Sequence, residues 1–247
     1  MPDINKQIEL LLNSDKIDAA ELSDVANILR ESGRFDLLND FSARLLQKHG
    51  GNDDVLLLRA WYLADVEQNF DDAENILKVI GRNDSEMFVL MKAKVLIKKY
   101  FDADAADSVL ENYIEESGYE DDDFVLEASR LFITDQYTDL AEKWMVRFKG
   151  EKDIEYLGVS AEIMIAREDY QSAVQAYKKI TEIMPDAASW TRLSDIYIYM
   201  KDYVSATEAA RHAADTDPEY KKALENICMC NLCLNRRNTK TNKINNQ

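Results

Sequence analysis

The chain has 247 residues, 46% hydrophobic and 31% charged, a globular balance that can bury a core in one large or two ordinary domains. Seven glycines and three prolines leave little material for the turns of a strand-rich fold, so an all-α protein is expected. The formal charge is −17, although the last thirteen residues hold four bases and no acid; so acidic a body repels nucleic acid and anionic membranes, and its acidity serves either to attract a basic partner or simply to keep a helical protein soluble and monomeric.

The opening stretch, MPDINKQIELLLNSDK, has acids where an export signal needs bases, and its apolar patch is interrupted too soon to span a membrane. Residues 1–18 read as an N-terminal capping helix, with Asp3 as its cap and Ile4, Ile8, Leu11 and Leu12 on one face. Residues 19–220 then read as about six helix pairs. The first carries Leu22, Val25, Ala26 and Leu29, a turn at Gly33, then Phe35, Leu38 and Leu45. The second has Leu56, Ala60 and Leu63 followed by Phe70, Ala73, Leu77 and Ile80; the third has Val89, Ala93 and Leu96 followed by Ala105 or Ala106 and Leu110 or Tyr113. The fourth has Phe124, Ala128 and Leu131 before Tyr137, Leu140 and Trp144.

The last two pairs nearly repeat each other. Asp169, Tyr170, Ala173 and Pro185 return 33 residues later as Asp202, Tyr203, Ala206 and Pro218. In the sixth, Trp190, Leu193, Ile196, Tyr197 and Met200 recur at the period of one helix face, a turn follows at Lys201 and Asp202, and Tyr203, Ala206, Ala210 and Ala213 mark a second helix that Pro218 closes. Residues 221–234 read as a C-terminal capping helix, and residues 235–247 as a disordered basic tail.

Trp190, Leu193, Ser194, Tyr197, Tyr203, Ala206, Ala210, Ala213 and Pro218 together resemble the tetratricopeptide repeat. Leu157, Ser160, Ala161, Met164, Tyr170, Ala173, Tyr177, Ile180 and Pro185 match it again one unit earlier. Ser194 stands where the family has glycine or alanine, and Ala210 where it has an aromatic residue. The resemblance covers about residues 19–220, tight over the last two units and loose in register over the first four. It implies a right-handed superhelix, an α-solenoid of stacked antiparallel pairs, in which the first helix of each unit lines a concave wall that binds peptides or helices of other proteins. Transferred by position, that lining is Trp61 and Asp65, Lys94 and Lys98, Ser129 and Phe132, Glu155 and Glu162, then Thr191, Asp195 and Tyr199. Packing between helices is the competing role for Trp61, Phe132 and Tyr199. The lysine and asparagine clamp by which some members grip a chaperone's terminal carboxylate is not recognisable here.

Other candidate chemistry is thin. Cys228, Cys230 and Cys233 could ligate a soft metal, but residues two apart on a helix point to opposite sides and no fourth ligand lies near, so half-buried free thiols are expected. Three cysteines without a disulfide framework fit a reducing compartment, and a cytoplasmic protein is expected. The run from Glu120 to Asp123, and Asp102, Asp104 and Asp107, suit helix starts better than a calcium loop, which needs a glycine and a closing acid. His49 and His212 have no legible nucleophile partner, and no phosphate-cradling loop or metalloprotease motif occurs. The expectation is a non-enzymatic scaffold or adaptor without cofactor, binding a protein segment in the groove, a basic one with apolar anchors. A structural subunit or assembly chaperone working through its ends or convex faces is the alternative, followed by a cysteine-dependent metal protein; the oligomeric state is left open.

Overall fold

The computed structural model describes residues 4–82, 84–118 and 121–244. Among them are fourteen α-helices and no strand. Helix α1 is Ile4–Asn13, and six antiparallel pairs follow: α2 (Ala19–Glu31) with α3 (Phe35–His49), α4 (Asp53–Asp65) with α5 (Phe70–Leu77), α6 (Glu86–Tyr100) with α7 (Ala103–Ser117), α8 (Asp122–Thr134) with α9 (Thr138–Met145), α10 (Ile154–Ala166) with α11 (Tyr170–Ile183), and α12 (Ala187–Tyr199) with α13 (Tyr203–Thr216). Helix α14 is Lys221–Ile244. Asp3, expected to cap α1, lies outside the described residues.

Much of the acidity marks where helices begin. Asp18, Asp102, Asp121, Asp153, Asp169, Asp186 and Asp202 each accept a hydrogen bond from a first-turn backbone N–H, as do Asn52, Asn69 and Ser85. A carboxylate there satisfies a donor that the helix cannot, and it faces the positive end of the helix dipole. Asp102 and Asp121, the candidates for a calcium loop and an acidic patch, are both such caps.

The turn inside each pair repeats one backbone device. Gly33, Gln68, Phe101, Gln136, Glu168 and Lys201 all have φ between 53° and 66°, so one left-handed residue reverses the chain in every unit. Small residues then let the paired helices close. Ala60, Ala93, Ala128, Ala161 and Ser194 on the first helices, and Ala73, Ala106, Ala141, Ala173 and Ala206 on the second, are fully buried. The contact is close enough for the Ser194 hydroxyl to donate to the carbonyl of Ala206 at 2.9 Å. A serine therefore suits this position: its extra oxygen finds a backbone acceptor instead of being stranded.

The chain divides into two compact units, Met1–Glu120 and Asp121–Gln247. In the first, α1 lays Ile8, Leu11 and Leu12 on a core with Leu22, Val25, Leu29, Leu38, Phe41 and Leu45. In the second, Val174, Tyr177, Ile180, Leu193 and Ile196 form one core, and Ala187, Ala213 and Ala223 join α14 to the last pair. Helix α14 does not end at Leu234: its backbone stays helical to Ile244, which corrects the boundary expected at Asn235. Asparagine, threonine and lysine are tolerated in a helix already nucleated and docked by its first half. The side chains of Arg236, Arg237, Lys240 and Lys243 lie outside the described set, as do residues 245–247.

Candidate partner-binding trough

In the first unit, consecutive first helices leave a trough of about 210 Å³ between them. Helix α2 contributes Asn27 and Arg30, α4 contributes Leu57, Leu58 and Trp61, and α6 contributes Met87. The positions follow from the small-residue register. Leu57 and Trp61 stand three before and one after buried Ala60, and Ser23 and Asn27 stand likewise around Ala26, so each pair leans to the side of its helix away from the second helices.

The trough is apolar with polar edges. The Arg30 guanidinium lies 5.9 Å from the centre of the half-buried Trp61 ring, a cation–π contact that holds the indole in the wall. Asp54 accepts from Arg82 Nη2 at 2.8 Å, and its neighbour Asp53 accepts from the backbone N–H groups of Gly81 and Arg82. Met87 is 50% exposed at the rim, a flexible thioether free to mould itself around an apolar group.

The positions transferred by resemblance have mixed fates. Trp61 is in the trough. Asp65 and Lys94 pair with each other between α4 and α6, and Lys98, four residues further along α6, is half-buried. In the second unit, Glu155 pairs with Arg130 and Glu162 lies 3.9 Å from Arg192, each tying neighbouring first helices together. Asp195 accepts from Asn226 Nδ2 of α14 at 2.7 Å. These charges already hold partners within the chain. Exposed pairs of this kind contribute about 0–1 kcal/mol each, so they align helices more than they stabilise them.

Three positions are corrections. Ser129 and Phe132 have no exposed surface and Thr191 almost none, so no partner reaches them. The hydroxyls of Ser129 and Thr191 donate to the carbonyls of Val125 and Ala187, one turn back on their own helices, and Phe132 fills the core of the fourth pair. Tyr199 is exposed, stacked on Tyr170 with ring centres 5.7 Å apart. Leu57, Leu58, Met87, Asn27 and Arg30 were missed by the transfer. Counting from Ala26 and Ala60 finds Asn27 and Leu57; nothing in the spacing marks Met87.

The thiols behave as a helix dictates: Cys228 is exposed, Cys230 buried and Cys233 between them. Burial raises the Cys230 thiol above its ordinary pKa. Among the described residues no group of three or more His, Cys, Asp or Glu side chains could hold a metal ion. His212 stacks on Trp190, ring centres 4.6 Å apart. No described helix is long and apolar enough to cross a membrane.

No family model matches the chain, and no curated protein matches it in sequence. Solved structures do match in fold. A tetratricopeptide repeat protein from Parabacteroides merdae ATCC 43184 superposes with a TM-score of 0.65 at 15% identity, over 92% of this chain and 92% of that one. Yeast Tom70 gives 0.57 at 15% identity, over 96% of this chain and 48% of its own. The Cut9–Hcn1 hetero-tetramer of the APC/C gives 0.55 at 13% identity, over 92% of this chain and 46% of the other. This chain thus spans about half the length of the latter two, and it has the tetratricopeptide-repeat fold, an all-α solenoid of antiparallel helix pairs.

Proposed function

We propose that this protein is an interaction module that holds a segment of another protein in the trough of its first unit, with no chemistry of its own. The observation that carries the reading is the placement of Trp61: a large ring, half-buried and braced by Arg30, in the wall of an apolar recess flanked by Leu57 and Met87. A rigid aromatic beside flexible apolar side chains, ringed by polar groups, is how interfaces concentrate affinity in a few contacts. The recess accepts one leucine-sized or aromatic anchor, with the segment's backbone running over Asn27 and Arg30. The fold adds support, since Cut9, which shares it, is found in a hetero-tetramer with Hcn1.

A photoreactive residue at Met87 tests this in cells. A discrete protein adduct is expected, lost when Trp61→Ala is added and absent when the probe sits at exposed Arg44 on α3. Equal labelling from both positions, or an adduct indifferent to Trp61, contradicts the reading. Action in the cytoplasm belongs to the same proposal, and imaging of the tagged chain checks it.

A further inference from the structure

We infer that the segment held in this trough is acidic beside its anchor: a side-chain carboxylate, no more than about four residues from the apolar group, pairs with Arg30. The inference rests on the trough being the binding site and names what selects its partner. Charge on the whole chain argues the other way, toward a basic segment, so the near and the distant charges have to be weighed.

The charged lining of the trough is Arg30 and Asp54, and Asp54 is already offset by Arg82. Arg30 has no such partner. Arg44, Arg82, Arg130, Arg167 and Arg192 each hold a carboxylate of the chain, whereas Arg30 is exposed and its guanidinium meets, among the described residues, only the Trp61 ring. Acids on the two wall helices are turned away or taken. Glu21 and Asp24 stand about 180° and about 120° round α2 from Arg30. On α4, Asp53 accepts from the backbone of Gly81 and Arg82, and Asp65 pairs with Lys94. The side chain of Glu31 lies outside the described set.

The indole shields one side of the guanidinium from water and restrains it, and leaves N–H groups in a planar fork that matches the two oxygens of a carboxylate. A lysine or arginine of the segment would meet that fixed charge with no acid to offset it. The repulsion due to a net charge of −17, by contrast, comes from carboxylates spread over the whole surface, and salt screens it over about 8 Å. At the distance of a hydrogen-bonded ion pair the near charge wins. Asn27, three residues before Arg30 on the same edge of α2, supplies an amide donor for the segment's backbone. Because Trp61 meets both the anchor and Arg30, the acid has to lie within about one helical turn of the anchor.

Selection by the full chain from a random library of short peptides tests this, each peptide's C-terminus being fused to its carrier so that only side-chain carboxylates are offered. Peptides that Trp61→Ala no longer retains are expected to carry an aspartate or glutamate within about four residues of a leucine, methionine or aromatic residue. One of them, synthesised with glutamate and with the isosteric glutamine, is expected to bind at least about tenfold tighter in the glutamate form. Arg30→Gln is expected to bring that ratio to about one, and Arg30→Lys to keep part of it. A residue that only braced Trp61 would weaken both forms alike. Trp61-dependent peptides without an acid preference, or a ratio indifferent to Arg30→Gln, overturn the inference and leave the trough as a binding site. Peptides retained equally by Trp61→Ala, or no peptides at all, remove the trough reading itself and this inference with it.

Discussion

At the scale of single residues, the turn positions carry the clearest strain. An L-residue with positive φ brings its Cβ against the following carbonyl, at about 1–2 kcal/mol, and only glycine escapes. Gly33 meets that demand in the first pair, but the third places Phe101 there, with φ 54° and 80% of its surface exposed, so the ring returns little by packing. Phe101→Gly is therefore expected to raise stability by about 0.5–1 kcal/mol, after the greater freedom of glycine in the unfolded chain is subtracted. Urea unfolding checks it: the midpoint moves up with an unchanged slope. A lower midpoint would mean that Phe101 packs more than its exposure indicates. The sequence marks turns at Gly33 and at Lys201, but of this set only the glycine carries a left-handed signature. Glutamine, glutamate, lysine and phenylalanine have none, and it takes the backbone to show that six residues of five types do one job.

At the scale of helices, the caps explain what was legible and what was not. Asp, Asn and Ser before an apolar period are readable stop-and-start signals, and the structure uses ten of them. The buried alanines were readable too, since Ala60, Ala93, Ala128 and Ala161 recur in step with Ser194. The trough was less so. A lining position depends on which side of a helix faces its neighbours, and a slip of one residue turns a side chain by about 100°, enough to exchange buried Phe132 for a wall position and to hide Leu57. The length of α14 is not legible in composition either, because a polar stretch continues a helix that its apolar first half has docked. Two of the paired helices lack a side-chain cap: α3, preceded by Arg34, and α9, preceded by Tyr137. Arg34 is exposed, so Arg34→Asp adds a cap with no packing to lose and is expected to stabilise by about 1 kcal/mol. Thermal unfolding of the variant beside Arg34→Ala separates the new hydrogen bond from mere loss of the arginine; equal melts for both would remove the capping argument.

At the scale of the molecule, each unit holds a core of its own, and that limits how far damage travels. Leu29 lies fully buried in the first unit among Ile8, Leu12, Val25, Leu38 and Phe41, whereas Val174, Tyr177, Leu193 and Ile196 pack with one another in the second. In a stack of repeats each pair owes its stability to itself and its immediate neighbours. Leu29→Ala removes three carbons from a closed site and is expected to cost about 2–5 kcal/mol there. Because the second core shares no side chain with the first, that loss should appear as local opening. Hydrogen exchange followed peptide by peptide is then expected to quicken in α1 to α4 and to stay unchanged in α11 to α13. Quickening of equal size in both regions would show that the chain unfolds as one cooperative body, and the stability of α14 would then depend on contacts more than a hundred residues away in sequence.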